Sequence, residues 1–193
     1  EFTEIPSAFE SEESAFSSAK WGDFNNDGFL DVVVVGSHFW YNWAPKTKLY
    51  KNNGDGTFIK LQNTGLDDLM MPGKITWVDY NRDGYLDLYI QGRTSNSIVF
   101  SKVNKLYKNN GGNGTFTAVF TAELGDQGAW GTWEDHSWGD YDNDGYPDFV
   151  ALSDQHTMYV FHNENGTGSF TNVKSIYHDL ISASCLAWVD FNN

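Results

Sequence analysis

The sequence predicts an all-β fold built from a repeated four-stranded antiparallel unit, on three observations. First, an acidic stretch recurs as WGDFNNDGFLD at 21–31, WVDYNRDGYLD at 77–87 and WGDYDNDGYPD at 138–148, and starts again as WVDFNN at 188–193. Its opening aspartates, Asp23, Asp79, Asp140 and Asp190, stand 56, 61 and 50 residues apart. Second, another motif recurs in phase between the acidic stretches, as LYKNNGDGTF at 49–58, LYKNNGGNGTF at 106–116 and VFHNENGTGSF at 160–170. Third, short apolar strand patterns bounded by turn residues fill each period, without helical periodicity of useful length. Four strands in a period of this size describe the blade of a β-propeller.

The elements follow in order. EFTEIP at 1–6 reads as the last strand of a preceding blade. Blade one spans 14–62 and opens with the strand SSAKWGDF, which runs into the acidic loop. DVVVVG then leaves that loop as a continuous apolar run, as expected of a strand covered on both faces. TKLYKNN is the third strand. NNGDG is a turn whose Asn and Gly residues supply the positive backbone angles of a tight hairpin. GTFIKLQ is the fourth strand. Blade two, 73–120, repeats this order around DLYIQG, and blade three, 132–173, around DFVALS; 182–193 begins another. The whole of 1–193 reads as a single repeat array with no internal linker. Trp21, Trp77, Trp138 and Trp188 hold a fixed place in the motif and are expected in the core.

Charge narrows the partners. The chain carries 26 acids against 12 bases, a formal net charge of −14. Such a surface repels nucleic acid and anionic membrane and suits cations. DVVVVG is far too short to span a bilayer. Cys185 stands alone, which excludes an internal disulfide and leaves the compartment open. The chain begins mid-pattern, and no signal-peptide pattern is visible.

Crowding carboxylates in this way is costly unless a positive charge sits between them. Counted from the first aspartate of each loop, side-chain oxygens fall at positions 1, 3, 5 and 9, glycine at 6, and a residue offering its carbonyl at 7. Loop one presents Asp23, Asn25, Asp27, Phe29 and Asp31. Loop two presents Asp79, Asn81, Asp83, Tyr85 and Asp87, and loop three Asp140, Asp142, Asp144, Tyr146 and Asp148. Asp190 and Asn192 start a fourth. Alternate oxygen donors around a glycine are how a short loop wraps a hard cation. Calcium, which accepts about six to eight oxygens in irregular geometry, suits it better than octahedral magnesium. Three complete repeats predict three Ca2+ ions. The final acid comes too early for an EF-hand, and strands rather than helices flank it. Solvated Asx-turns between strands are the plainer reading of a single copy. Ions that hold a turn shut without doing chemistry are an intermediate one.

The pattern D-x-[DN]-x-D-G-x-x-D after Trp-Gly or Trp-Val, with NNGDGTF downstream, resembles the FG-GAP/VCBS repeat family. It is similar to the calcium-binding blades of the integrin α-subunit propeller and to many bacterial secreted proteins. The Gly-Ala-Pro tripeptide of the integrin pattern is missing, which places the chain nearer the microbial-type subgroup. The resemblance implies calcium loops joining the first and second strands of each blade. It also implies an extracellular or cell-surface setting and roles in adhesion or ligand binding. Propellers of this family close with about seven blades. Three blades with partial flanking strands therefore predict a fragment, or a piece completed by partner chains, whose open sheet edges invite pairing.

In such a blade the acidic loops and NNGDG turns share one face. The other face carries the long connections at 37–47, 92–104 and 122–138, which vary in length between copies. Variable loops on a repeated scaffold carry function. Trp40, Tyr41 and Trp43 crowd the first, and Trp130 and Trp133 the third. Exposed aromatics stack on sugar rings or anchor protein partners; the same rings would also suit packing between blades. TWEDH at 132–136 and SDQH at 153–156 set acids beside histidine, as a hydrolase or lyase would need. They read more simply as polar loop residues, since no nucleophile elbow, phosphate loop or zinc spacing accompanies them. Asn113 and Asn165 begin N-glycosylation sequons that overlap the recurring turn. The expected function is a non-catalytic, calcium-stabilised extracellular module for adhesion or recognition of a glycan or protein ligand. The alternatives are the propeller part of a secreted polysaccharide-degrading enzyme, or a structural repeat protein that self-assembles through its open sheet edges.

Overall fold

Three β-sheets follow one another along the chain, each a meander whose strands pair antiparallel with their sequence neighbours. The computed structural model describes residues 15–38, 44–69, 74–96, 99–122, 135–152, 157–177 and 186–189. The first sheet holds β1 (Ala15–Gly22), β2 (Asp31–His38), β3 (Ala44–Asn52) and β4 (Phe58–Lys60). The second holds β5 (Ile75–Val78), β6 (Asp87–Asn96), β7 (Val99–Asn109) and β8 (Phe116–Ala122). The third holds β9 (His136–Gly139), β10 (Asp148–Leu152), β11 (Thr157–Asn163) and β12 (Phe170–Tyr177). The described residues contain no helix. The strand expected at 1–6 lies outside them.

The hydrophobic cores lie between sheets. One joins Phe24, Val33, Val35 and Leu49 of the first sheet's residues to Ile75, Leu88, Ile90, Tyr107 and Phe116 of the second. The other joins Val78, Tyr80, Tyr89 and Leu106 to Phe149, Ala151 and Phe161 of the third. Successive side chains of a strand point to opposite faces. On β6, Leu88 and Ile90 therefore face the first sheet while Tyr89 faces the third. A middle blade has no solvent face along its second strand. That is why DLYIQG reads as a continuous apolar run; every residue of β10 is buried as well.

Of the repeated tryptophans expected in the core, Trp77 and Trp138 pack against the two cores, while Trp21 and Trp188 are exposed. Trp21 is 56% exposed and Trp188 36%, while Trp77 and Trp138 are partly buried. Three of the indoles, those of Trp77, Trp138 and Trp188, work at the seam with the preceding blade. Trp77 packs on Gly22, where an added Cβ would lie 2.6 Å from the ring, and its Nε1 donates to the Lys20 carbonyl (3.4 Å). Trp188 packs on Gly139 in the same way, and its Nε1 donates to the Ser137 carbonyl (3.1 Å). At the seam between blades two and three the glycine is replaced by Val78. There Trp138 turns its ring into the aromatic cluster of Tyr89, Phe149 and Phe170, and its buried Nε1 has no hydrogen-bond partner. Trp21 rests on Phe58 of its own blade, with ring centroids 6.1 Å apart.

Candidate metal centre

Each acidic loop joins the first and second strands of its sheet, and all three fold by the same local bonds. The carboxylate at position 1 accepts two backbone N–H groups. Asp23 takes those of Asp27 (3.2 Å) and Gly28 (2.8 Å), Asp79 those of Asp83 and Gly84, and Asp140 those of Asp144 and Gly145. Position 3 accepts the N–H of position 5, from Asn25, Asn81 and Asp142. Position 5 accepts the N–H of position 7, so that Asp27, Asp83 and Asp144 cap Phe29, Tyr85 and Tyr146. Position 4 and the glycine after position 5 both take positive φ: Asn26 at 57° and Gly28 at 87°, Arg82 at 59° and Gly84 at 88°. The Asx-turn geometry weighed from sequence is therefore present, and it gathers the acids of each loop toward one another.

Position 9 is different in kind. Asp31, Asp87 and Asp148 are fully buried. Each accepts the N–H of position 2 through one oxygen, from Phe24 (3.2 Å), Tyr80 (3.3 Å) and Tyr141 (3.0 Å). The other oxygen accepts the N–H of an asparagine on the third strand: Asn52 (2.8 Å), Asn109 (2.7 Å) and Asn163 (2.8 Å). Burial raises the carboxyl of Asp87 to about 7 despite these bonds, with Asp83 and Asp79 adding to the rise. Asp31 and Asp148 are raised for the same first reason, burial. A cation beside such acids would favour their carboxylate form.

The asparagines tie the loops together, where the sequence reading treated them as turn formers. Asn109 also donates through Nδ2 to the carbonyl of Phe24 in the preceding loop (2.7 Å), and Asn163 to that of Tyr80 (2.8 Å). A buried relay of bonds thus runs Asp31, Phe24, Asn109, Asp87, Tyr80, Asn163, Asp148, Tyr141 through all three loops. The signal for them was the first asparagine of NN, NN and NE, which holds the same place in the third-strand motif of every copy. Above the relay, Asn26 Nδ2 donates to the Gly84 carbonyl of the next loop (2.7 Å), and Arg82 lies 5.6 Å over the ring of Tyr146.

A base on the third strand reaches each loop. Lys51 contacts Asp27 (2.5 Å) and Lys108 contacts Asp83 (3.7 Å). The Lys51 bond is the main reason Asp27 is held below the usual carboxylate range. In loop three the base is His162. Among the described residues, ligand atoms converge within 4.8 Å of one another there, as Asp140, Asp142 and Asp148 and as Asp142, Asp144 and His162. The donor set at positions 1, 3, 5 and 9 is all oxygen, which fits a hard dication.

The remaining candidates divide. Asp190 and Asn192 of the fourth loop, and the aromatics Trp40, Tyr41, Trp43, Trp130 and Trp133, lie outside the described residues. So does SDQH at 153–156. His136 of TWEDH is fully buried. Its ring nitrogens meet Gln91 Oε1 (3.1 Å) and Thr76 Oγ1 (2.8 Å), and burial, then Lys74, lowers it to about 3. Burial opposes ionisation of Asp135, yet Lys74 at 2.6 Å and the N–H groups of Leu186 and His136 hold its carboxyl low. This pair joins blades two and three as a closed polar knot. Asn113 and Asn165 are exposed in the recurring turns, where Asn113 Oδ1 accepts from Thr115 N–H (2.8 Å).

Antiparallel sheets with acidic first hairpins, stacked through buried aromatic seams, define a class: repeat blades of a β-propeller with an acidic loop in each. The chain belongs to the FG-GAP-like repeat family, whose model matches residues 23–90, 95–151 and 140–193. Repeats of this family often bind calcium, typically occur in extracellular proteins and generally serve as non-catalytic structural or recognition modules. No curated protein and no solved structure matches the chain. Among the described residues, no helix is long and apolar enough to cross a membrane.

Proposed function

We propose that the chain is a calcium-stabilised recognition module of an extracellular protein, without catalysis of its own. The observation that supports this most is the buried relay, which runs through the position-9 acid of every loop and crosses both blade seams. A dication in each loop would neutralise carboxylates that the fold otherwise holds together at a cost. It would also stiffen the seams that align the blades. In loop one it takes Asp23, Asn25, Asp27, Asp31 and the Phe29 carbonyl, and the corresponding groups in loops two and three. Lys51 and Lys108, on long flexible stems, swing away as it enters.

With one end of the blades committed to cations, the opposite end is left for a ligand. The connections at 37–47 and 122–138, read from sequence as belonging to that face, carry Trp40, Tyr41 and Trp43, and Trp130 and Trp133, residue types suited to sugar faces or a protein partner. Asn113 and Asn165 stand as glycosylation positions on the cation end. A glycan array with the unaltered chain and with Trp43→Ala plus Trp133→Ala tests the recognition surface. Binding that is lost in the double variant at an unchanged melting temperature supports it. Loss of fold together with binding would assign the rings to the blade seams instead. Capture of a protein partner without any glycan signal would make the module a protein adhesin.

A further inference from the structure

The two blade seams are built of different material, away from the acidic loops. Counted along the repeat, Gln91 of β6 holds the place that Val35 holds on β2, and His136 of β9 the place of Ile75 on β5. The core between the first and second sheets contains Val35 and Ile75, both fully buried. Between the second and third sheets the same two places carry an amide and an imidazole, Gln91 at 3% exposure and His136 at 0%. Gln91 Nε2 is buried there without a hydrogen-bond partner. An apolar pair at one seam is thus a buried polar pair, one member titratable, at the next.

The partners of the ring hold it neutral. Gln91 Oε1 only accepts, so Nδ1 donates to it (3.1 Å), and the bare Nε2 accepts from the Thr76 hydroxyl (2.8 Å). The charges nearby are already committed. Lys74 Nζ, from just before β5, binds Asp135 Oδ1 (2.6 Å) and the His136 carbonyl (2.8 Å). Asp135 Oδ1 also accepts the His136 N–H (2.8 Å), and its Oδ2 that of Leu186 (2.6 Å). Strand β6 presents the uncharged Gln91 and the ring of Tyr89, with centroids 4.5 Å apart, and β10 presents Ala151 opposite. Lys20 of β1 adds a weaker repulsion. A second proton on the ring would therefore put a cation in a closed seam beside Lys74, next to a carboxylate that is already paired. Burial first, then Lys74, keeps the folded ring neutral down to about 3. In the unfolded chain the same ring takes its proton near its ordinary 6.5. Between those values the unfolded state binds more protons, so stability is full above 6.5 and drains as pH falls toward 3.

We propose that His136 makes the seam between blades two and three an acid-sensitive joint, which holds blade three on blade two at neutral pH and weakens on acidification. The seam between blades one and two, with Val35 and Ile75 in these places, has no titratable group there. The test compares the full chain with the double variant Gln91→Val, His136→Ile, which carries the first seam's pair in the second. Replacing both polar partners by apolar groups together leaves neither of them orphaned. Both chains are denatured with urea in millimolar calcium from pH 7.5 to 4.5. Their acidic loops are identical, so the difference between the two pH profiles isolates the joint. Over that range the folding constant of the unaltered chain should fall roughly 50- to 100-fold further than that of the variant. Equal falls overturn the proposal. Should the variant fail to fold, imidazole 15N spectra of the unaltered chain decide. His136 must keep the neutral Nδ1–H pattern for as long as the chain stays folded, down to about pH 4.5. A His136 that takes up its proton near the ordinary value while the chain is folded overturns the proposal.

Discussion

Asn109 and Asn163 hold two blades with one side chain each. The Asn109 amide donates to Phe24 of the preceding loop and to Leu86 of its own (3.0 Å), while its oxygen accepts the Gly112 N–H (2.8 Å). Removing it orphans buried carbonyls on both sides of a seam. Asn109→Ala should cost about 2–4 kcal/mol, the sum of penalties for buried groups left unpaired, in a urea denaturation of the chain. Asn110→Ala, which loses an exposed bond to Thr115, should cost far less. The buried acids make a second residue-scale claim. Without cation, the carboxyl of Asp87 sits well above its ordinary 3.8, at about 7. A raised acid favours the folded state fully below its unfolded pKa, and that contribution is lost as pH rises through the folded one. In chelator, carbon-detected NMR should show Asp87 titrating near 7; in calcium it should stay ionised well below that. Ordinary acidic titration in chelator would refute the claim.

At the scale of elements, the acidic loop and the recurring turn are one unit shared between neighbours. Gly166 sits at φ 70°, between its own blade's Tyr146 and the backbone of Asn81 in the preceding loop. A Cβ there would lie 2.8 Å from Asn81 Cα. Gly166→Ala should therefore lower stability by about 1–3 kcal/mol, from the left-handed backbone together with the overlap. Gly56→Ala, with positive φ but open space around it, should lower it by less in the same denaturation series. Much of this was legible in sequence. The continuous apolar runs at 31–36, 87–92 and 148–153 predicted strands covered twice, and β2, β6 and β10 are those strands. The loop spacing predicted which acids share a turn. What sequence did not reveal is which blade a side chain serves. A fixed tryptophan reads as core, yet Trp77 packs on the blade before its own, because Gly22 leaves room there. The exchange of Lys108 for His162 reads as a neutral variation until the third strand is seen to lie beside the loop.

At the scale of the molecule, the cores lie between blades, so blade alignment and stability are one property. Cation loops strung on a buried relay along one end of the stack would couple each site to its neighbours. Asp83→Ala removes the position-5 carboxylate of loop two. It should reduce the calcium count per chain by one in metal analysis and leave the outer loops occupied; an unchanged count would break the ligand assignment. The central claim is that the fold is stabilised by calcium held in these loops. Calorimetric melting of the full chain, in chelator and across a calcium titration to millimolar, tests it most directly. The expected result is a melting temperature that climbs with calcium concentration, as mass action requires of an ion bound by the folded state alone. Melting curves that superimpose in chelator and in millimolar calcium would contradict it.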